Sequence, residues 1–483
     1  MRGNGDDTAT MSTAIRTLAY VVSTCRVDAT GVGFVEQDLR IQVGDGAPVS
    51  VRGVNARVDG TQPQLCHFLG DGRLGQVLQA VLPFKRLAVT PDGSRVVFEI
   101  AAPLPQHLAL VRDPTVAVDE GIYVVRSDGT GLRRLGSPSR EPAFRITGIG
   151  VTFLTFPGFA PSPDGQRVVF TDRGDGPDGE AIQIVSLDLD SGRRAPLTTL
   201  PPGPHDPCPV IADSICKPGT TGPFFLNDEE VVFFSEANPD GMNPAGDLTA
   251  FIVNQDGTGL RSGPRPSSLP NGVLDPSFVI TGRAPSVVVL PLDAPPEGPP
   301  EREAFPFTLE VFLLDGENLL QLTDFKRNDI IDAALTANGE RVLFSASANR
   351  PAAGPAGDDI IRQRNPTENC QVFSIDRNGG DLRQLTDFRE TDHVRFGCYN
   401  DIGLVGCSVG FFAVDPMTGT LVFYSTCDPF GQNPYGGQLF AMRPDGSGLR
   451  QITDARGLTP DGMELELIGP HAYSAPIRMA RPR

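Results

Sequence analysis

Short runs of apolar residues recur along the chain, and each run of one kind follows the same polar turn. Two clear copies are "VTPDGSRVVFEI", Val89–Ile100, and "PSPDGQRVVFTD", Pro161–Asp172. Two looser copies are "LTANGERVLFSA", Leu335–Ala346, and "VDPMTGTLVFYS", Val414–Ser425. Proline fixes φ and glycine accepts positive φ, which favours a tight turn, while β-branched and aromatic runs favour strands. The phrase therefore predicts two antiparallel strands, A and B.

A second repeated phrase adds two more strands to each unit. Its copies are "GIYVVRSDGTGLRRLG", "TAFIVNQDGTGLRSG", "QVFSIDRNGGDLRQLTD" and "QLFAMRPDGSGLRQITD", with "EVFLLDGENLLQLTD" and "IQIVSLDLDSGRRAPLTT" as further copies. The D-G-x-G turn separates strands C and D, as expected for a hairpin. Units recur at about 40–60 residues, the range of propeller blades. The pattern predicts an all-β propeller of four-stranded antiparallel blades.

The two ends of the chain complement each other. "IGPHAYSAPIR", Ile468–Arg478, resembles a lone strand A, whereas "LAYVVSTCR", "DLRIQV" and "APVSVRG" near the N-terminus resemble strands B, C and D. Pairing them would remove two exposed sheet edges. This predicts seven blades that start near residues 14, 84, 158, 223, 272, 330 and 409, with the N-terminal blade 14–83 completed by strand 468–478. The alternative is six blades plus an N-terminal strand module.

The domain prediction follows from this count. One propeller spans residues 14–478, and the repeat blades occupy residues 84–454. Residues 1–13 are predicted to be a disordered tail, and residues 479–483 a second tail.

The repeats "SPDGQRVVF" and "IYVVRSDGTGLRRLG" resemble the TolB-like, WD-type β-propeller repeats of bacterial extracytoplasmic proteins. The resemblance covers roughly Phe84 to Asp454 and concerns the propeller only. The N-terminal α/β domain of TolB has no counterpart in this sequence. The resemblance implies a propeller fold and a location outside the cytoplasm, and it does not carry over a partner.

The net charge and the residue composition indicate which classes of partner the protein is expected to bind. The net charge is −18, so nucleic acids and anionic membranes are poor partners. The sequence contains no run of about 18 apolar residues, so it predicts no membrane-spanning segment. The 54 glycines and 45 prolines fit a chain with many turns. Arginine supplies nearly all the positive charge, because lysine is rare.

Eight cysteines bear on the cellular compartment. Cys208 with Cys216, and Cys398 with Cys407, lie close together in Pro- and Gly-rich loops, which predicts local disulfides and an oxidising compartment. Cys370 and Cys427 flank loops of adjacent blades and are a further candidate pair, which leaves Cys25 with Cys66. The predicted location is periplasmic or secreted. The alternative is a cytoplasmic protein with reduced cysteines, because the acidic N-terminus does not resemble a signal peptide.

Blade topology sorts the connections onto two faces. The A–B and C–D turns are short and share one face, here named the turn face. The B–C and D–A connections share the other, here named the long-loop face, where every long insertion falls. These insertions are residues 101–120, 172–180, 200–222, 236–247, 292–307, 346–369 and 388–409. Function concentrates on variable loops of a rigid scaffold, so the binding site is predicted on the long-loop face.

Candidate ligand-binding residues lie in those loops. They are Asp172, Asp175 and Asp178 in "TDRGDGPDGE", Asp240 and Asn243 in "SEANPDGMNPAGD", Asn433 in the matching "STCDPFGQNPYGG", and the loop histidines His205 and His393. Clustered Asp and Asn oxygens suit Ca²⁺, which is kept as an alternative to no cofactor, although neither loop has EF-hand spacing. The aspartates of the repeated turns are interpreted as structural.

Catalytic motifs have little support. The five histidines show no zinc-ligand spacing. "GCSVG", Gly406–Gly410, fits the serine-hydrolase pattern, but a strand and turn follow Ser408 where the nucleophile elbow needs a helix. The sequence therefore favours a non-enzymatic binding or scaffold propeller for a protein, peptide or glycan ligand. Two alternatives stay open: an extracytoplasmic hydrolase or lyase with an acidic site at the channel mouth, and a structural subunit of an envelope assembly. Oligomeric state is not predicted.

Overall fold

The chain is known from a computed structural model, and its described residues form an all-β protein. Within them the helical structure is a single 3-10 turn, Pro239–Gly241. The predicted tails, residues 1–13 and 479–483, lie outside the described part. The described residues are 17–27, 33–54, 56–61, 83–101, 119–140, 159–203, 220–246, 249–263, 280–281, 287–292, 308–315, 318–325, 332–346, 369–388, 407, 409–415, 418–432, 437–458 and 464–473.

Thirty strands follow one another in the described part of the chain. They are β1 (Thr17–Val27), β2 (Gly33–Val43), β3 (Val49–Ser50), β4 (Ala56–Thr61), β5 (Phe84–Val89), β6 (Arg95–Ile100), β7 (Gly121–Arg126), β8 (Arg133–Gly136), β9 (Ala160–Pro161), β10 (Arg167–Gly176), β11 (Gly179–Asp188), β12 (Arg194–Pro196), β13 (Thr220–Phe225), β14 (Glu230–Ser235), β15 (Thr249–Asn254), β16 (Arg261–Ser262), β17 (Ile280–Thr281), β18 (Val287–Leu292), β19 (Thr308–Asp315), β20 (Asn318–Gln321), β21 (Ala333–Leu335), β22 (Arg341–Ala346), β23 (Gln371–Asp376), β24 (Arg383–Gln384), β25 (Val409–Val414), β26 (Leu421–Ser425), β27 (Gln438–Met442), β28 (Arg450–Gln451), β29 (Gly457–Leu458) and β30 (Glu464–Tyr473).

Six sheets are four-stranded antiparallel blades, which confirms the predicted fold class. Each contains four consecutive strands in the order A, B, C and D: β5–β8, β9–β12, β13–β16, β17–β20, β21–β24 and β25–β28. They are named here the first to the sixth blade. The B strands are nearly continuous apolar runs. In β6 and β22 every residue after the first arginine is buried, because both faces of each sheet are covered by neighbouring sheets.

The chain ends form one further sheet, here named the terminal sheet. Its order is β29-β30-β1-β2-β3, and β4 also pairs with β2. The C-terminal strand runs antiparallel to β1, from Leu18 opposite Tyr473 to Arg26 opposite Glu464. This confirms the predicted pairing of the C-terminal segment with the N-terminal strand B. The strand begins earlier than expected, at Glu464, and residues 474–478 lie outside the described part.

The terminal sheet packs between the sixth blade and the first. On one side Leu18 and Tyr20 share a buried cluster with Val422 and Leu439 of the sixth blade. The opposite side packs against the first blade through a second cluster, in which Ala19 lies with Phe84, Val96 and Phe98, among others. The terminal sheet therefore packs against both neighbouring blades.

Six regular blades agree with the six-blade alternative, and a set of seven like blades is not confirmed. The terminal sheet differs from the others because β29 and β4 raise its strand number to six. Polar contacts also join it to its neighbours. The Thr17 hydroxyl donates to the carbonyl of Gly93 at 2.9 Å, and the Tyr473 hydroxyl donates to Asp415 Oδ2 at 2.7 Å.

A buried amide ties strand C to the end of strand D in several blades. In the second blade, Gln183 Oε1 accepts the Thr198 hydroxyl at 2.9 Å and the Leu200 N–H at 2.8 Å. Gln371 and Gln438 make the same pair of contacts in the fifth and sixth blades. Glu310 takes this position in the fourth blade and accepts Thr323 and Phe325. The recurring Thr of "LTD" is thus an internal hydrogen-bonding residue of the fold.

The C–D turns also explain how neighbouring blades approach each other. Gly446, at φ +85°, lies so close to the preceding blade that a Cβ would be 2.9 Å from the Leu385 carbonyl oxygen. Gly192 similarly faces the Leu135 carbonyl, at 2.7 Å. Glycine is therefore required in these turns for two reasons: it accepts positive φ, and it allows backbone contact between blades.

We expect Gly446→Ala to destabilise the protein more than Gly241→Ala. Both alanines would adopt positive φ, which costs about 1–2 kcal/mol, but a Cβ at Gly241 meets no atom within 4 Å. The close Leu385 carbonyl should add at least about 1 kcal/mol for Gly446→Ala. Urea denaturation of both variants measures the difference. Equal losses would mean that the close contact between blades has no energetic weight.

Candidate functional site on the long-loop face

On the turn face, the polar side chains of the turns form hydrogen bonds within the same turns. In three C–D turns, Asp128, Asp256 and Asp445 accept the N–H of the residue two positions later. Hydrogen bonds from the Thr130 hydroxyl and N–H lower the pKa of Asp128, and Thr258 does the same for Asp256. These carboxylates stabilise local turns, as predicted for the repeated aspartates.

The long-loop face differs because buried polar side chains bind the residues at the ends of its connections. These end residues are here named the roots of the connections. Asn369 is fully buried and bridges the two ends of one connection. Its Nδ2 donates to the Phe388 carbonyl at 3.0 Å, and its Oδ1 accepts the Cys407 N–H at 2.8 Å. Asn369 therefore holds Phe388 and Cys407, the described residues on either side of 389–406, close together. The connection itself lies outside the described residues.

A charged network holds the connection between the first and second blades. Arg86 and Glu99 form an ion pair in which their side chains are only 2% and 1% exposed. Glu99 Oε1 also accepts the Ser139 N–H at 2.5 Å, and the Ser139 hydroxyl donates to the Thr171 carbonyl at 2.9 Å. Ser139 is thereby fixed between strands B of two blades.

Asp172 is the second carboxylate of this network. Its Oδ1 accepts the N–H groups of Arg140 at 2.7 Å and Arg173 at 2.9 Å, and its Oδ2 pairs with Arg194 at 3.1 Å. The guanidinium of Arg194 lies 5.5 Å from the centre of the Phe170 ring, within cation–π range. Oδ1 of Asp172 therefore holds the chain at Arg140, and Oδ2 holds Arg194 of β12.

The acids that follow Asp172 are not gathered around one point. Strands β10 and β11 extend as a hairpin in which Asp175 lies opposite Glu180, and Asp175 and Asp178 are exposed. Glu180 pairs with Arg140 at 3.1 Å and with Arg173 at 3.9 Å. Arginines placed among the acids disfavour a cation here. Among the described residues, no group of three or more His, Cys, Asp or Glu is positioned to hold a metal ion.

The loop that follows β14 uses its polar residues internally. Asn243 is 2% exposed, and its Nδ2 donates to the carbonyls of Glu236 and Ala237 at 3.3 and 3.2 Å. Asp240 is exposed at φ +50° in the 3-10 turn. The matching loop of the sixth blade has the same start, because Ser235 and Ser425 each accept the N–H two residues later. The repeated motif is thus a structural loop, with Asp240 at its surface.

Several predicted residues lie outside the described part of the chain. These are His205, His393, Asn433 and Ser408, together with Cys66, Cys208, Cys216 and Cys398. Their roles stay predictions.

The described disulfide corrects the predicted pairing. Cys407 is bonded to Cys427, with a Cα–Cα distance of 5.0 Å, so neither Cys398–Cys407 nor Cys370–Cys427 forms. The reason is the register of the sheet. Val409 lies opposite Ser425, and stepping two residues outward along both strands places Cys407 opposite Cys427. The bond therefore continues the A–B ladder of the sixth blade at the long-loop face.

Cys25 and Cys370 are also disulfide-bonded. No described cysteine is free. The Cys25–Cys66 and Cys208–Cys216 pairs therefore stay predictions.

The sequence analysis did not identify Lys85, whose side chain has a lowered pKa. The register of β5 shifts between Phe84 and Arg86, opposite Ile100 and Glu99 of β6, so Lys85 is the extra residue of a β-bulge. Burial lowers the pKa of Lys85 to about 7, although Glu99 and Glu120 oppose the shift. The signal in the sequence is its rarity, since Lys85, Lys217 and Lys326 are the only lysines.

Comparison with known proteins establishes no family. No family model matches the chain, and no curated protein matches it. No helix in the described residues has the length and apolar character needed to cross a bilayer.

Solved structures similar to this chain include propeller proteins. TolB of Acinetobacter baumannii is 12% identical over 95% of this chain and 83% of its own, with a TM-score of 0.34. An acylaminoacyl peptidase of Pyrococcus horikoshii is 10% identical over 91% of this chain and 52% of its own, with a TM-score of 0.47. An oligogalacturonate lyase in complex with manganese is 10% identical over 87% of this chain and 90% of its own, with a TM-score of 0.38.

These matches include TolB proteins, which the repeats also resemble. The resemblance is to the propeller only, and this chain spans about half the length of the peptidase. At such identities the matches concern the fold, and no functional conclusion rests on them.

We expect Asp172→Asn to cost about 2–3 kcal/mol of stability and Asp175→Asn less than about 0.5 kcal/mol. Asp172 is buried and its loss of charge leaves Arg194 without its ion pair, whereas Asp175 is exposed on the hairpin. Urea denaturation of the two isosteric variants gives the comparison. Similar values for both would show that the network does not anchor this connection.

Mass mapping of the non-reduced protein should recover a peptide pair joined through Cys407 and Cys427. Cys407→Ser with Cys427→Ser should cost about 2–4 kcal/mol, the usual contribution of such a bond. The double variant avoids leaving one free thiol. A linked Cys398–Cys407 peptide would contradict the register given above.

Proposed function

We propose that this chain is a non-enzymatic binding propeller whose long-loop face presents its connections to a protein, peptide or glycan partner outside the cytoplasm. The observation that carries the proposal is the difference between the two faces. On the turn face, the turns are short and their side chains form hydrogen bonds within the same turn. On the long-loop face, Asn369, Glu99 and Asp172 fix the roots of long connections with buried hydrogen bonds.

Fixed roots favour binding because they reduce the conformational freedom that a loop loses when it meets a partner. Buried polar groups are costly unless they are fully paired. Insertions that had drifted without function would need no such anchoring.

The acids of this face support binding more than catalysis. Glu99 is paired with Arg86 and accepts the Ser139 N–H, while Asp172 is paired with Arg194 and accepts two N–H groups. Carboxylate oxygens that are engaged in such ion pairs and hydrogen bonds are less available to a substrate. The described part of the long-loop face therefore favours the binding proposal over the hydrolase or lyase alternative.

Disulfides support the proposed compartment. Cys407–Cys427 is formed, and Cys25 and Cys370 are also oxidised. Such bonds persist in the periplasm or after secretion, whereas cytosolic thiols stay reduced. The net charge of −18 disfavours nucleic acid as the partner.

The proposal is tested by reversing charge on each face separately. Asp175→Arg with Asp178→Arg alters the exposed hairpin on the long-loop face, and Asp228→Arg with Glu229→Arg alters an exposed A–B turn on the turn face. Both pairs change the net charge by the same amount. Immobilised full-length protein is then exposed to a detergent extract of the producer's envelope, and the captured material is quantified by mass spectrometry and glycan analysis.

We expect the hairpin pair to reduce capture of a specific partner by about tenfold or more, because rim charges alter encounter and fit. The turn-face pair should leave capture unchanged. Equal loss with both pairs, or loss with the turn-face pair only, would contradict the assignment of the long-loop face. A partner in fixed stoichiometry would favour the envelope-subunit alternative.

A further inference from the structure

An aromatic ring is exposed on the long-loop face, in the B–C loop of the sixth blade. In the described part of the chain, the exposed large apolar residues are Val43, Val49, Leu320 and Phe430, and Phe430 is the aromatic one. Phe430 is 44% exposed, and its ring centre lies 6.4 Å from that of the buried Phe440. The ring therefore keeps contact with the core while it is accessible to a partner.

The loop that carries Phe430 is fixed at several points. It begins at Cys427, which forms the disulfide of the sixth blade. The Asp428 carbonyl accepts the Gly431 N–H at 3.3 Å, and Asp428 Oδ1 accepts the Gln432 N–H at 2.8 Å. A loop that is already ordered loses little conformational freedom when it binds.

The matching loop of the third blade shows that this position does not need an aromatic residue. Both loops follow the pattern S-x-x-x-P-x-G, in which Asp240 and Phe430 occupy the same place. Asp240 is also exposed, and Asn238 accepts a later N–H of its loop, as Asp428 does. The loop thus forms with a polar residue at this position, so the fold does not require the exposed ring of Phe430.

The second blade shows how a phenylalanine and an aspartate two residues apart bind a guanidinium in this protein. The Arg194 guanidinium lies 5.5 Å from the centre of the Phe170 ring and pairs with Asp172 at 3.1 Å. Asp428 and Phe430 are likewise two residues apart, at the long-loop end of their blade. Phe170 is fully buried, so its cation comes from the same chain, whereas the exposed Phe430 is accessible to a cation from a partner.

The charge of the protein favours a cationic partner. A net charge of −18 attracts basic molecules and repels acidic ones. An arginine suits this pair better than a lysine, because its planar guanidinium can stack on a ring and donate to a carboxylate at the same time. At an exposed site, the contact of a cation with an aromatic ring strengthens binding by about two- to fivefold.

We propose that Phe430 and Asp428 bind an arginine side chain of a basic protein or peptide. The guanidinium stacks on the exposed ring and donates to the Asp428 carboxylate. This inference rests on the proposed binding function of the long-loop face and adds the chemistry of the partner.

The test measures binding of fluorescein-labelled hexa-arginine to the full-length protein by fluorescence anisotropy, at about 0.15 M salt. Phe430→Asp introduces the residue that the third blade has at this position, and Phe430→Leu keeps an apolar side chain without a ring. Both variants should weaken binding by about two- to fivefold. Non-specific attraction to the acidic protein predicts the opposite for Phe430→Asp, because this variant adds a negative charge. Unchanged or tighter binding by both variants would overturn the proposal.

Asp428→Asn separates the role of the carboxylate from net charge. The amide oxygen can still accept the Gln432 N–H, so the loop should keep its structure. Asp228→Asn makes the same change of charge at an exposed residue of the turn face and is the matched control. We expect Asp428→Asn to weaken hexa-arginine binding by about twofold or more and the control to leave it unchanged. Equal effects of the two variants would contradict a specific site.

Two further probes test the chemistry of the partner. Hexalysine should bind more weakly than hexa-arginine, and equal or tighter binding of hexalysine would contradict the arginine assignment. Binding of labelled maltohexaose that depends on Phe430 would overturn the proposal in favour of a glycan.

Failure of this inference can be distinguished from failure of the proposed function. The hairpin variants Asp175→Arg and Asp178→Arg are tested for capture of envelope material, independently of Phe430. If the hairpin pair loses capture while the Phe430 variants bind hexa-arginine normally, the arginine site is wrong and the binding face stands.

Discussion

The fold depends on the antiparallel pairing of β30 with β1. Each blade has apolar residues on both faces, so each needs a neighbour on either side. A linear stack would leave the outer faces of the first and sixth blades in water. The terminal sheet covers both, with Leu18 and Tyr20 toward the sixth blade and Ala19 toward the first. Since burying one large apolar side chain contributes about 1.5–3 kcal/mol, this single sheet stabilises both ends of the stack.

The two faces follow from this closed arrangement. Because the blades are antiparallel meanders, their short turns gather on one face and their long connections on the other. The hydrogen bonds of Asn369, Glu99 and Asp172 lie where the long connections enter the sheets, and so does the disulfide of the sixth blade. The proposed binding face is therefore a consequence of topology that has been reinforced by specific side chains.

Local chemistry explains what could be predicted from the sequence. The turns were predictable because Asp-Gly pairs at Asp128 and Asp256 determine their own geometry within a few residues. Asp172 was identified as a candidate, but its partners Arg140 and Arg194 come from other connections and strands, which spacing along the chain does not reveal.

The wrong disulfide pairing has a similar cause. Proximity in sequence suggested Cys398 with Cys407, whereas the register of β25 on β26 selects Cys427. Extending the predicted A–B hairpin by two residues would have found it. The inner-strand bulges are partly visible as Gly-Pro pairs at residues 222–223 and 469–470. The bulge at Lys85 has no such mark, so its place in the fold could be found only from the structure.

The most direct test of the closure removes β30 by ending the chain after residue 463, with a chain ending after Tyr473 as the control. Differential scanning calorimetry should show one cooperative transition for the control. The shorter chain should lose that transition and aggregate, because β1 becomes an open edge and two buried faces are exposed. A shorter chain that unfolds cooperatively within about 1 kcal/mol of the control would contradict the account.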